Sequence, residues 1–132
     1  MEHRYRKNAG AVFSLKYHIV WCPKYRRPVL VGKIEERLLQ LIGEKCEELG
    51  LIIHNISVMP DHLHIFLEGD PRLCVAEIVN WLKGYTSRVL RQEFPELRSR
   101  LPTLWSRSYY AGSVGPVSQN VVARYIENQK GR

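Results

Sequence analysis

The chain has 132 residues, 45% of them hydrophobic, with 20 Lys and Arg against 13 Asp and Glu and a formal net charge of +7 at pH 7. That size fits one domain spanning 1–132 with a modest core and argues against a second. No apolar run approaches the roughly 20 residues a membrane span requires, and the basic start leads into no signal-peptide core, so a soluble, cytoplasmic protein is expected.

The charge is uneven. Residues 1–33 carry eight basic residues and one acidic residue, whereas 34–132 carry twelve of each. A basic N-terminal third (Arg4, Arg6, Lys7, Lys16, Lys24, Arg26, Arg27, Lys33) attracts phosphate backbones with salt-dependent affinity, and it equally fits a solubilising face. Cys22, Cys46 and Cys74 are odd in number and widely spaced, which suggests buried thiols rather than a disulfide framework or a zinc knuckle.

In chain order, residues 11–21 read as a first strand, with Leu15, Tyr17, Ile19 and Trp21 alternating against Ser14, Lys16, His18 and Val20. Pro23 and Pro28 bracket a basic connection. Ile34, Leu38, Leu41, Ile42 and Leu49 recur at helical spacing over 33–49, and Gly50 stops them. Residues 51–58 and 62–68 form second and third strands around a turn at Pro60 and Asp61. Val75, Ile78, Val79, Leu82 and Val89 mark a second long helix. Pro95 and Pro102 frame a loop, 104–111 is a fourth strand, and Ser118 caps a last helix reaching Gln129. The order β-α-β-β-α-β is the split βαβ pattern of a ferredoxin-like α+β sandwich. A four-stranded antiparallel sheet buries one face under two helices and leaves the other for chemistry, nucleic acid or a partner.

Asp61-His62-Leu63-His64-Ile65 is the most chemically suggestive segment. Alternation puts His62 and His64 on one strand face, where two imidazoles can hold a divalent ion. Taken alone, the pair also fits an incidental polar face. Tyr125 and Gln129, four apart, share a face of the last helix. Taken alone, Tyr125 fits a core aromatic beside Val121, Val122 and Ile126, and Gln129 a surface glutamine. Tyr109 and Tyr110 point to opposite faces of the fourth strand. His3 and His54 have no convincing partner.

Four segments together carry a resemblance. They are Tyr17-His18-Ile19-Val20-Trp21 with Pro23-Lys24-Tyr25-Arg26, Met59-Pro60-Asp61-His62-Leu63-His64, Trp105-Ser106-Arg107-Ser108-Tyr109-Tyr110, and Tyr125-Ile126-Glu127-Asn128-Gln129. In this order, and over nearly the whole chain, they resemble the single-tyrosine HUH transposases of small bacterial and archaeal insertion sequences. U is the hydrophobic residue between the histidines.

The resemblance implies that His62, His64 and Gln129 hold Mg²⁺ or Mn²⁺ and that Tyr125 is the nucleophile. It implies cleavage and rejoining of single-stranded DNA through a 5′-phosphotyrosine, guided by subterminal hairpins at the element ends. His18 and Asp61 are expected to support the site. Lys24, Arg26 and Arg27, with Lys83, Arg88 and Arg91 on the second helix, are expected to contact phosphates. Gly112, Gly115 and Pro116 are expected to hinge a mobile tyrosine helix over about 112–132. That helix is expected to serve the partner's histidines in a homodimer. The competing readings are a noncatalytic nucleic-acid-binding module of the same fold, a rolling-circle nickase, and a domesticated transposase acting on chromosomal repeats.

Overall fold

A computed structural model of the chain describes residues 6–8, 10–113 and 119–132. Its elements in order are β1 (Arg6–Asn8), β2 (Ala11–Phe13), β3 (Lys16–Trp21), α1 (Gly32–Glu48), β4 (Ile52–Met59), β5 (His62–Glu68), α2 (Val75–Glu93), α3 (Glu96–Arg100), β6 (Tyr110–Ser113) and α4 (Gln119–Asn128). The main sheet has the order β4-β5-β3-β6, every pair antiparallel. This is the α+β split βαβ sandwich expected from the sequence.

The core lies on one face. Register pairs Ile19 with Ile65 and Trp21 with Leu63, and these side chains are fully buried. They meet Leu38, Leu41 and Ile42 of α1 and Ile78, Val79 and Leu82 of α2, all at most 1% exposed. The helix signals behave as their chemistry dictates. Gly50 takes φ +74°, its N–H reaches Glu47 O and the Leu51 N–H reaches Cys46 O, which closes α1 with a Schellman turn. At the start of α2 the Cys74 N–H donates to Glu77 Oε1 at 3.1 Å, an orphan helix-start donor satisfied from within.

Three elements differ from expectation. Residues 11–21 split into two strands, and β2 pairs with β1 as a small separate hairpin. Arg6 then donates to Gly69 O and Gly50 O, so part of the N-terminal charge pins this hairpin to the domain. A short helix, α3, occupies the segment between the two prolines. The fourth strand is displaced to 110–113. Residues 104–106 instead run beside the end of β3, with the Lys24 N–H on Leu104 O, the Ser106 N–H on Cys22 O and a bridge between Pro23 and Trp105. Trp105 is buried there against Trp21, and its indole N–H donates to Thr86 Oγ1. The expected cap Ser118 lies outside the described residues.

Candidate active site

The sheet face opposite the core carries the histidines. Along β5, Leu63, Ile65 and Leu67 are buried, while His62, His64 and Phe66 alternate on the other side at intermediate exposure. His64 lies opposite Val20, and Val20 opposite Tyr110. Two register positions along, Phe66 lies opposite His18, and His18 opposite Gly112.

Each histidine has a fixing partner. His62 Nδ1 is 2.9 Å from Asp61 Oδ1, which selects the Nδ1–H tautomer and leaves Nε2 unprotonated, its lone pair suited to a metal ion. His64 Nε2 is 3.0 Å from His18 Nδ1. The two rings stack at 5.1 Å, His18 stacks on Phe66 at 4.6 Å, and His54 packs on Phe66 at 5.1 Å. His18 therefore reaches the site through His64, as a support. Burial, then the neighbouring His18 and His62, hold the His64 pKa below the ordinary imidazole value, which favours the neutral form a metal requires. His54, expected to be unpartnered, pairs with Glu68 Oε1 at 2.6 Å, beside a register shift in β4 that re-aims it.

The two imidazoles fit a divalent ion in their chemistry, and the lowered His64 pKa favours its metal-binding form. Among the described residues no group of three or more His, Cys, Asp or Glu is disposed around a metal, so oxygen donors must come from elsewhere. Gln129 does not supply one in this arrangement. It is 4% exposed, and its Oε1 accepts from Ser108 Oγ at 2.9 Å and Ser106 Oγ at 3.4 Å.

Tyr125 sits in the same cluster. Its hydroxyl is 3.1 Å from Ser108 Oγ, and its ring lies 6.4 Å from that of Tyr110. Burial raises its pKa above the ordinary phenol value, with the Ser108 hydrogen bond opposing, so the hydroxyl is neutral at physiological pH. Arg26 ties this helix to the histidine turn. Its Nε is 3.2 Å from Asp61 Oδ2, and its Nη1 is 3.3 Å from both Glu127 Oε2 and Ile126 O. The helix thus seats on its own chain in this structure.

Several expected roles change. Arg26 is committed to Asp61 and α4 rather than presented to phosphates. Lys83 turns inward: Nζ donates to Ser106 O at 2.6 Å and Ser108 O at 3.3 Å, and burial lowers its pKa to about 8. It holds the loop that carries Ser108, a use helical periodicity does not reveal, because a long flexible stem can fold to either side. Lys24 lies over the Tyr25 ring at 5.1 Å, and Arg27 is exposed. Arg88, over the Tyr85 ring, and Arg91, on Leu101 O, line a basic cleft of about 430 Å³ with Arg98. Gly112 sits within β6, where an added Cβ would come 2.8 Å from the Tyr110 hydroxyl. Gly115 and Pro116 lie outside the described residues. The sequence reading missed Ser106 and Ser108. Their signal was a place in one of the four segments that carry the resemblance, two hydroxyls two residues apart beside the tyrosines.

Comparison with known proteins places the geometry in context. A family model described as "Transposase IS200 like" matches residues 11–129. The chain is 34% identical over 126 residues to the ISDra2 transposase TnpA of Deinococcus radiodurans, covering 94% of this chain and 90% of that one. It is 31% identical over 119 residues to the transposase for insertion sequence element IS200 of Salmonella typhimurium, covering 89% and 78%. A crystal structure of a Deinococcus radiodurans R1 transposase superposes with TM-score 0.88 at 32% identity, covering 96% of this chain and 99% of the other. A REP-associated tyrosine transposase, solved bound to a REP hairpin, shares the fold at TM-score 0.58 and 10% identity, covering 92% and 68%.

Proposed function

Because the chain belongs to the IS200-like transposase family, we propose that it cuts and rejoins single-stranded element ends through a covalent link to Tyr125. The observation that carries this reading is the Arg26 bridge. It joins Asp61, the partner of His62, to Glu127, which lies two residues from both Tyr125 and Gln129.

In the proposed reaction the Tyr125 oxygen attacks the scissile phosphorus in line with the departing 3′ oxygen. A P–O bond to tyrosine forms and the P–O3′ bond breaks. The phenol proton is lost and the 3′ oxygen gains one. The products are a 5′-phosphotyrosine and a free 3′ hydroxyl. Attack by a second 3′ hydroxyl reverses the step and needs no ATP, since the phosphodiester is conserved. Held by His62 and His64, with Gln129 as third ligand, Mg²⁺ or Mn²⁺ would offset charge on the non-bridging oxygens. Gln129 takes that role only after giving up its serine partners. Hairpin DNA is the proposed substrate, in keeping with the hairpin bound by the REP-associated relative.

The proposed enzyme is a homodimer with exchanged tyrosine helices. Exchange remakes between protomers the contacts that Arg26 and Ser108 make here within one chain.

Strand polarity tests the chemistry. With hairpin DNA labelled on either side of the cut, the label must stay with the protein only when it is 3′ of the cleaved bond. The released strand must be extendable by a polymerase. Retention of the opposite label contradicts the proposed polarity.

A further inference from the structure

Beside the Asp61–His62 pair lies a cavity of about 520 Å³, lined by Tyr25, Arg26, Arg27, Pro28, Asp61 and Lys130. Its size falls within the range of small-ligand sites. Its floor is built. Arg26, with a side chain 17% exposed, is held between Asp61 and Glu127 of α4. Its rim is open. Tyr25 is 40% exposed, and Arg27 and Lys130 are exposed with no ion-pair partner among the described residues. Three cations against one carboxylate leave the lining positive, so an anion is the matching ligand.

The backbone adds an independent observation. Tyr25 (φ 58°, ψ 17°) and Arg26 (φ 52°) are consecutive left-handed residues, and neither is glycine. Such a conformation strains a residue that carries a side chain. Glycine would relieve that strain, yet an aromatic and a guanidinium stand here. The turn is pinned by the Arg26 N–H on Pro23 O and the Lys24 N–H on Leu104 O. Its effect is to send neighbouring side chains to different tasks, Arg26 into the ion pairs and Tyr25 to the rim. The Lys24 ammonium above the Tyr25 ring adds positive charge at the same rim.

We infer that this cavity binds one nucleotide of the single-stranded flank beside the hairpin, its base against Tyr25 and its phosphate between Arg27 and Lys130. The inference rests on the proposed transposase chemistry and adds a subsite to it. An exposed aromatic side chain among cations is the chemistry by which single strands are held without base-pair readout. The shared Asp61 puts the subsite next to His62, where the strand must pass to reach Tyr125.

The test measures binding in chelator with the Tyr125→Phe protein, using element-end hairpin DNA with and without its single-stranded flank. The flank should raise affinity. Tyr25→Leu and Tyr25→Gly should each remove about tenfold of that gain. Arg27→Gln with Lys130→Gln should lower the salt slope by roughly 0.7 per lost phosphate contact. Binding of the bare hairpin should not change. Tyr25→Gly separates binding from folding, since glycine fits the left-handed turn and should melt no lower than the parent. A flank gain equal in all variants, or absent in the parent while the wild-type protein still forms a covalent adduct, overturns the inference. A wild-type protein that neither binds the hairpin nor forms an adduct overturns the transposase chemistry itself.

Discussion

Ser108 Oγ lies 3.1 Å from the Tyr125 hydroxyl, and Tyr125 is the donor in that bond. The direction follows from proton counting. Ser108 has one hydroxyl proton, and Gln129 Oε1, 2.9 Å away, can only accept it. The tyrosine proton is then the one left for Ser108 Oγ. Gln129 Nε2 completes the clasp by donating to Tyr125 O at 3.3 Å. One serine thus holds both Tyr125 of α4 and Gln129, the residue that follows the helix.

Replacing Ser108 with alanine takes the Ser108 partner from the half-buried Tyr125 hydroxyl and leaves the buried Gln129 amide oxygen only the longer Ser106 bond at 3.4 Å. The expected cost is about 1–3 kcal/mol, seen as a lower melting temperature and faster amide exchange across α4. Ser108→Thr keeps the hydroxyl and should recover most of the loss. Unchanged melting and exchange in Ser108→Ala would show that the clasp does not hold the helix.

Lys83 and Arg88 lie on one helix but should behave oppositely. Lys83 Nζ faces two backbone carbonyls, so Lys83→Met should lower stability and leave hairpin affinity and its salt dependence intact. Arg88 is exposed on the basic cleft, so Arg88→Gln should leave stability intact and reduce the salt slope by roughly 0.7–0.9 if it meets a phosphate. Binding titrations at several salt concentrations decide both. A reduced slope in Lys83→Met contradicts the inward placement.

Asp61 orients His62 through Nδ1. Removing such an outer partner typically costs 10–100-fold in metal affinity. Asp61→Asn should raise the Mn²⁺ concentration needed for half-saturation by about that factor, measured by Mn²⁺ paramagnetic resonance on the DNA complex. Unchanged Mn²⁺ affinity would remove Asp61 from the metal site.

Asp70 gives the fold an acid-sensitive contact away from the chemistry. Its carboxylate accepts from the Arg72 N–H, Nε and Nη2, and the Arg72 guanidinium lowers its pKa from 3.8 to about 2. The folded value is depressed, so its stabilisation is present above the unfolded pKa and fades as pH falls from about 4 toward 2. Urea midpoints should therefore favour wild type over Asp70→Asn at pH 7, and the gap should close near pH 2. A constant gap contradicts the assignment.

Period two and period 3.6 were legible wherever one face is buried. Strand β5 reads directly from Leu63, Ile65 and Leu67, and α1 from Leu38, Leu41 and Ile42 up to the stop at Gly50. The fourth strand was misplaced because Leu104 and Trp105 carry a strand-like composition. Their burial comes from packing against α2 and β3 rather than from a ladder. The residues proposed for catalysis were legible as a motif, but their surroundings were not. Lys83, Arg26 and Ser108 take their roles from contacts at sequence separations of about 17 to 101. Local pattern holds no information about which way such side chains turn.

Tyr125 is the residue proposed to carry the covalent link. Wild type and Tyr125→Phe should be incubated with element-end hairpin DNA in Mn²⁺, and any adduct digested and mapped by mass spectrometry. A metal-dependent nucleotide adduct on the Tyr125 peptide, absent from Tyr125→Phe, is the predicted result. An adduct that persists in Tyr125→Phe, on Tyr109, Tyr110 or any other residue, would contradict it.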